Sequence, residues 1–174
     1  MNVESAIDTG SGLVVGVDVV NVGSDSGQLL PMVEQIEKRY AKAPTRMLAD
    51  GDFANLEDIQ AISEKGSSVY APVKNAKKEI EAGKDPYAAK RGDEPGVAGW
   101  RERMGTESAK EIYKRRASNA EWANARFRSM GLRQFAVRGV AKAKAQVLLC
   151  ALAHNLRQTR LIRERSRVDG AEKG

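Results

Sequence analysis

The pattern of apolar and polar positions changes along the chain, and its first segment predicts a β-hairpin. Residues 13–20 are apolar and largely β-branched, which is typical of a strand. Residues 2–7 are short and mixed, and residues 8–12 between the two runs are Asp, Thr, Gly and Ser, the composition of a turn. We therefore expect two antiparallel strands joined by a short turn.

Helical spacing of apolar residues follows and predicts an α/β layout. Two stripes are expected to be buried, with Leu29, Val33, Ile36 and Tyr40 in the first helix and Leu56, Ile59 and Ile62 in the second. Asn55 is the expected N-cap of the second helix, with Asp58 in a capping-box arrangement, and Gly66 ends that helix. Short strands at residues 46–49 and 68–73 alternate with these helices, so their pairing should be parallel.

The second half of the chain predicts two long helices after an exposed segment. Residues 74–97 lack an apolar period and are rich in Lys, Gly, Asp and Pro, which indicates a mobile insertion. One helix is predicted from about Ala98 through Phe127, and a last helix from Val140 to about Arg163. Residues 145–153 are apolar almost all round, which predicts deep burial. We expect one domain over residues 1–163, followed by a disordered polar tail at residues 164–174.

Composition adds a bias toward a polyanionic partner. The 174 residues carry a formal net charge of +6, and Lys and Arg concentrate between residues 101 and 167. This favours nucleic acid over membrane, with a solvated basic surface as the alternative. The chain has no apolar stretch of about 20 residues for a membrane span and no secretory signal, so a cytoplasmic location is expected. The single cysteine, Cys150, lies in an apolar run typical of a structural thiol, and His154 is expected to be a core residue.

Two carboxylates are the candidates for chemistry. Asp50 closes an apolar run at a predicted strand end, and Glu121 lies on the predicted long helix. At 100° per residue, Glu121 and Arg128 lie almost in line, with Tyr113 and Arg116 on the adjoining flank. One carboxylate at a strand end and another on a basic helix is a common way to build a two-metal phosphoryl-transfer site. The same spacing also fits a solvated amphipathic face with ion pairs along the helix.

A family resemblance favours the first interpretation. Tyr113, Arg116, Glu121 and Arg128 resemble the tyrosine–arginine–glutamate–lysine signature of DDE transposases from bacterial insertion sequences. Residues 48–53 (LADGDF) are similar to that family's block around the second catalytic aspartate. Other blocks of the chain resemble the family in the same order, namely residues 21–25, 131–133, 138–139 and 151–156. The resemblance covers nearly the whole chain.

The resemblance implies a partial ribonuclease-H-like catalytic domain, of α/β class, that cuts and joins DNA at insertion-sequence ends. Asp50 would be the second acid and Glu121 the third, and both would bind Mg²⁺ or Mn²⁺ in a two-metal site. Guanidinium forks match phosphate oxygens, so basic residues near the cut end would position DNA. The implied DNA-binding residues are Tyr113, Arg116, Arg128, Arg133 and Arg138.

The sequence departs from the family pattern at three points. Asp52 stands where the motif usually has Gly, and Arg128 replaces a lysine. The family's first acid lies on a strand upstream of the hairpin, where this sequence offers no counterpart. Asp8 reads as a turn-former, and Asp18 is expected at the sheet edge, away from Asp50. We therefore expect the C-terminal portion of a transposase, inactive alone, with an upstream transposase fragment or a homo-oligomer as its expected protein partner.

Two other functional classes remain open at this point. The chain could be a non-catalytic DNA-binding remnant that competes with or complements a full-length transposase through its basic helices. It could also be a decayed gene product that does not fold. DNA binding that survives loss of Asp50 and Glu121 would favour the remnant, and a broad, non-cooperative melt would favour the decayed product.

Overall fold

The computed structural model describes the chain at residues 1–21, 23–132 and 134–171, without the side chains of residues 115–124 and 169–171. The chain divides into two compact units. One consists of Met1–Val22 with Ser118–Gly174, and we call it the hairpin unit. The other, Gly23–Ala117, is the central unit.

The hairpin unit begins with the predicted pair of antiparallel strands. Strand β1 (Asn2–Ile7) pairs with β2 (Val14–Val20), and the register shifts between Ala6 and Ile7. The Asp8 carboxylate closes the turn, because its Oδ2 accepts hydrogen bonds from the Ser11 amide at 2.8 Å and from the Ser11 hydroxyl at 2.5 Å. The hairpin and the turn-forming role of Asp8 are confirmed.

The last helix, α6 (Val140–Ala171), packs one face on this hairpin. Val14, Val17 and Val19 of the strand form a buried cluster with Phe127 and with Ala143, Val147 and Ala151 of the helix. These helix residues recur every four positions, as a single buried face requires.

Polar residues of α6 bind the hairpin backbone beside this apolar contact. The Asn155 side chain accepts from the Val14 amide and donates to the Val14 carbonyl, both at 2.8 Å. Gln158 donates to the Ser11 carbonyl at 2.7 Å, and the His154 Nε2 lies 2.9 Å from the Gly12 carbonyl. His154 is 3% exposed, so the prediction of a core histidine is confirmed.

The central unit is the predicted alternation of helices and parallel strands. Its elements run in the order α1 (Leu29–Tyr40), β3 (Arg46–Leu48), a 3₁₀ turn (Gly51–Phe53), α2 (Leu56–Glu64), β4 (Ser68–Tyr70), α3 (Ala76–Glu81) and α4 (Pro95–Gly105). Helix α5 (Glu107–Ser129) starts in this unit and ends in the hairpin unit. Strands β3 and β4 are parallel, from Arg46 opposite Ser68 to Leu48 opposite Tyr70. The α/β class is confirmed, and the strands of the described residues form two separate two-stranded sheets.

The core of the central unit contains most of both predicted stripes. Val33, Ile59 and Ile62 are at most 1% exposed and pack with Trp100 from α4. Tyr40 is 51% exposed and Leu56 43% exposed, so their predicted burial was wrong. Both residues are helix ends, the last of α1 and the first of α2, so helical spacing alone did not bring them over the core.

The predicted N-cap of α2 is confirmed, but its capping box is not. The Asn55 side chain accepts from the Glu57 amide at 3.0 Å. A capping box would turn Asp58 back to the Asn55 amide, which instead donates to the Phe53 carbonyl. Asp58 is buried and its Oδ2 accepts from the Leu30 amide at 3.3 Å. Asp58 therefore stabilises the first turn of α1, where the N-cap residue makes no side-chain bond.

The long helix predicted from Ala98 through Phe127 is two helices. Thr106 separates α4 from α5 with an extended backbone, φ −80° and ψ 147°. Its hydroxyl donates to the Arg103 carbonyl at 2.7 Å and accepts from the Ala109 amide at 3.2 Å, so it closes one helix and caps the next. A threonine after a glycine was the available signal for this break.

The segment at residues 74–97 is largely exposed, as expected, but it is held by specific contacts. It contains α3, and Lys90 Nζ binds both carboxylate oxygens of Glu79 at 2.8 Å. Asp93 pairs with Arg101 of α4 at 2.7 Å, and both side chains are at most 9% exposed. These contacts hold the segment in place within the central unit.

Helix α6 differs from its prediction in length and in burial. It continues past Arg163 to Ala171, where a disordered tail was expected. Residues 145–153 were expected to be deeply buried, but Leu149 is 67% exposed and Leu152 is 56% exposed. A helix that lies on a two-stranded hairpin covers one face only, so the opposite apolar face stays exposed.

We expect Asn155→Ala to destabilise the hairpin unit by about 2 kcal/mol, because the substitution leaves two backbone groups of the buried Val14 without partners. Denaturant unfolding at pH 7 measures the change. Arg157→Ala, an exposed site on the same helix, is the control and should cost less than about 0.5 kcal/mol. Equal effects of the two substitutions would contradict the anchoring role.

Stability of the central unit should depend on pH through Asp93. Burial alone would raise the pKa of this carboxyl, but hydrogen bonds from the Lys90 amide and the Arg101 guanidinium outweigh burial and lower it. The stabilisation is therefore present above the unfolded pKa of about 4 and is lost as the pH falls through the lowered folded value.

We expect Asp93→Asn to reduce the free energy of unfolding by about 2 kcal/mol at pH 7. This value lies between the cost of losing an exposed ion pair and that of breaking a fully buried one. The difference from wild type should shrink as the pH drops below about 4. Glu94→Gln, at the exposed neighbouring position, is the control and should show no such dependence. A constant difference across pH would show that packing, not charge, is what the substitution removes.

Candidate functional site

Asp50 lies at the carboxyl end of β3, where the chain leaves the parallel strand pair. The last link of this pair is the Ala49 amide, which donates to the Tyr70 carbonyl at 3.0 Å. Asp50 then keeps an extended backbone, φ −68° and ψ 160°, and its carbonyl accepts from the Phe53 amide at 3.1 Å. Ala49 is buried and Asp50 is exposed, so the apolar run ends with a carboxylate at the surface.

The turn after Asp50 tolerates the unusual Asp52. Residues 51–53 form a 3₁₀ turn, and neither Gly51 nor Asp52 has a positive φ. The backbone at position 52 therefore does not require glycine. Asp52 is exposed and places a second carboxylate in the same turn as Asp50.

Side chains of α4 hold the strand beside Asp50 in place. The Trp100 Nε1 donates to the Ala71 carbonyl at 3.1 Å, and an Arg103 Nη donates to the Val69 carbonyl at 3.3 Å. The Arg103 guanidinium also lies 5.5 Å from the centre of the Tyr70 ring. Trp100 is 2% exposed. The end of β4 next to Asp50 is thus fixed by a buried indole and a cation stacked on an aromatic ring.

A cleft of about 350 Å³ borders the chain that follows the Asp50 turn. Its lining includes Ala54, Asn55 and Leu56. Its cationic lining residues are Lys74, Lys90 and Arg101. Lys90 is paired with Glu79, and Arg101 is paired with Asp93. Two of the three cations are therefore largely neutralised.

Helix α5 carries the remaining residues of the predicted constellation. Its backbone is helical from Glu107 to Ser129, as the spacing argument needs. Tyr113 is half-buried and packs against the core of the central unit. The side chains of Arg116 and Glu121 lie outside the described residues, and Arg128 is exposed near the end of the helix.

The predicted site residues fall in both units of the chain. Asp50 and Tyr113 belong to the central unit, and Glu121 and Arg128 to the hairpin unit. Arg138 is exposed in the connection between α5 and α6, and Arg133 lies outside the described residues.

No ready-made metal cluster occurs in the part of the chain whose side chains are described. There, no three His, Cys, Asp or Glu side chains converge on one point. The chemistry of the predicted pair nonetheless fits Mg²⁺ or Mn²⁺, since both ions prefer carboxylate oxygens. Asp50 is the described member of that pair, and its exposure leaves it accessible to a cation.

Other reactive groups have structural surroundings. Cys150 is half-buried against the hairpin cluster, and burial raises the pKa of its thiol. A raised pKa disfavours the thiolate, which supports the prediction of a structural cysteine. Asp18 of β2 is ion-paired with Lys144 of α6 at 2.9 Å.

Comparison with known proteins identifies the family. The model of the transposase DDE domain family matches residues 1–156. The chain belongs to this family. No curated protein and no solved structure matches it.

The match to the transposase DDE domain includes both candidate acids. It spans the Asp50 turn and all of α5, and it ends at Leu156 in α6. Its last residues include His154 and Asn155, which bind the hairpin backbone. The terminal block of the resemblance at residues 151–156 thus has a structural role in this transposase domain. Among the helices of the described residues, none is both long and apolar enough to cross a bilayer.

Sequence reasoning missed the residues that support the Asp50 turn. Trp100 packs in the core of the central unit, but its hydrogen bond to Ala71 had no signal in the sequence. Arg103 was one basic residue among many. The partners of both are backbone carbonyls about thirty residues away, and a backbone group carries no side-chain pattern that would identify it.

Proposed function

We propose that this chain is the catalytic domain of a DNA transposase that cleaves DNA and joins strands at insertion-sequence ends. Asp50 and Glu121 bind the catalytic divalent cations in a ribonuclease-H-like arrangement. Family membership over residues 1–156 gives the reaction class. The observation that carries the assignment to residues is the exposed Asp50 at the end of a parallel strand pair that packs against the core of the central unit.

The surroundings of Asp50 suit a metal ligand better than a solvated surface acid. Strand pairing and the Trp100 and Arg103 bonds restrain the backbone on both strands next to it. A ligand held on strand ends is positioned more accurately than one on a mobile loop. Bound Mg²⁺ or Mn²⁺ supplies Lewis-acid activation of the attacking and leaving oxygens.

Residues of α5 and of the connection to α6 bind the DNA backbone. Arg128 and Arg138 are exposed arginines, and guanidinium groups bind phosphate oxygens through paired donors. Arg116 and Arg133 have the same role. Tyr113 packs against the core, so it contributes chiefly to the orientation of α5 and only with its hydroxyl to DNA.

The first acid of the family's set comes, in this proposal, from an upstream fragment. The two acids of the hairpin are unsuitable, because Asp8 closes the turn through Ser11 and Asp18 pairs with Lys144. With two acids of three, the domain alone is a poor nuclease. Upstream coding DNA that encodes a strand with an aspartate would support this origin.

The alternative function is DNA binding without catalysis. The exposed arginines and the net charge of +6 favour it independently of Asp50. Such a protein would compete with or complement a full-length transposase.

Titration calorimetry with Mn²⁺ tests the metal site. Wild type should bind Mn²⁺, and Asp50→Ala should weaken binding by more than about 100-fold, since a ligand is lost outright. Asp52→Asn removes the neighbouring exposed carboxylate and is the matched control, which should retain binding. Absence of binding in wild type, or equal loss in both variants, would contradict the assignment of Asp50.

Nicking of supercoiled plasmid in Mn²⁺ by the same proteins tests the need for a third acid. We expect the chain alone to nick at background rate. Nicking that is clearly above background and disappears in Asp50→Ala and Glu121→Gln would show that no outside acid is needed.

DNA binding should be salt-dependent and should involve the exposed arginines. Arg128→Ala and Arg138→Ala should each weaken binding of a duplex and reduce the salt slope by about 1. Lys38→Ala on α1 removes the same charge from another exposed site and should leave both quantities unchanged. Equal effects of all three substitutions would indicate general electrostatic attraction. DNA binding by a wild-type chain that binds no Mn²⁺ in the calorimetry would favour the non-catalytic alternative.

A further inference from the structure

Helix α6 has a second apolar face that the hairpin does not cover. Leu148, Leu149, Leu152 and Leu156 form this leucine stripe, and they are 41%, 67%, 56% and 65% exposed. At 100° per residue the stripe is centred about 160° from the buried face of Ala143, Val147 and Ala151. A contiguous run of exposed leucines on one helix face marks an interaction surface.

The spacing of the stripe indicates the shape of its partner. Leu149, Leu152 and Leu156 follow intervals of three and four residues, and Ala145 and Thr159 continue that series on either side. Intervals of three and four are the pattern by which one helix packs along another. The stripe therefore fits a partner helix with an apolar seam of its own.

The charges around the stripe indicate the partner's composition. Lys142 precedes the leucines, and Arg160 and Arg163 follow them, all within about 60° of the stripe's centre. Glu164 is the acidic side chain among those described on α6, and it pairs with Arg160 at 2.7 Å. Both ends of the stripe thus carry positive charge, which favours acidic residues opposite them.

A second copy of this chain fits poorly. In a parallel pair, Lys142 and Arg163 would each meet their own counterpart, and in an antiparallel pair centred on the stripe Lys142 would meet Arg163. Both arrangements bring cations together at the ends of the contact. Four leucines also offer much less than the roughly 800 Å² that each partner of a stable interface contributes.

We infer that the leucine stripe of α6 is a docking surface for an amphipathic helix whose apolar face is flanked by acidic residues. This inference is independent of the proposed catalytic role, because it concerns neither Asp50 nor Glu121.

Fluorescence anisotropy with two synthetic helical peptides tests the inference. Both peptides carry leucines at intervals of three and four, and one has Glu and the other Lys at the flanking positions. The Glu peptide should bind the full chain at least tenfold more tightly than the Lys peptide. The double variant Leu149→Gln, Leu152→Gln should weaken Glu-peptide binding at least tenfold, and Val168→Gln, an exposed apolar site on another face of α6, should not.

Several results would overturn the inference. Equal binding of the two peptides would show that the partner needs no acidic residues. Equal binding of the Glu peptide by the double variant and wild type would show that the leucine stripe is not the docking surface. A concentration-dependent dimer in sedimentation, lost in the double variant, would assign the stripe to a second copy. Because the replaced leucines are exposed, an unchanged far-ultraviolet spectrum and melting temperature of the variant exclude unfolding as the cause.

Discussion

Both units depend on helix side chains that satisfy backbone groups of short strands. Each sheet in the described chain has two strands, so a strand has one paired edge and its remaining polar groups need other partners. Asn155 bonds both backbone groups of Val14 in the hairpin unit. Trp100 and Arg103 bond the carbonyls of Ala71 and Val69 in the central unit. These bonds satisfy backbone polar groups that would pair with a further strand in a wider sheet.

The same constraint supports the proposed role of Asp50. A carboxylate on a loose loop would lose conformational entropy when it binds a cation. Asp50 instead follows a strand whose pairing continues to the Ala49 amide, beside a strand end that Trp100 holds. The fold therefore restrains the backbone next to Asp50, which would lower the cost of ordering this residue in the proposed metal site. The structure thus adds to family membership the restrained backbone beside Asp50.

Helix α6 shows how one element serves two surfaces. Its polar residues and its Ala143, Val147 and Ala151 face are committed to the hairpin. The leucine stripe lies on the opposite side of the same turns, and cationic side chains lie at both ends of the stripe. A helix that is apolar all round is normally buried all round, so the exposed half of α6 supports the proposed docking surface.

The sequence by itself determined the elements whose signals are local. The hairpin, the Leu29, Val33 and Ile36 stripe of α1, the Asn55 cap and the parallel order of β3 and β4 all follow from periodicity, turn residues and capping chemistry. Family-like blocks also singled out Asp50 and the α5 residues as candidates, and the family match spans the segments that carry them. These features depend on residues a few positions apart, which is why a single sequence is enough to find them.

Only the tertiary structure decided the features that depend on distant partners. Asp58 serves α1 instead of its own helix because the Leu30 amide, 28 residues away, lies within its reach. Asp93 finds Arg101 and orders a segment that looks featureless in sequence. Leu149 stays exposed because a two-stranded hairpin covers only one face of α6. Local patterns specify which face of an element is apolar, and the packing of the whole chain decides which apolar face is covered.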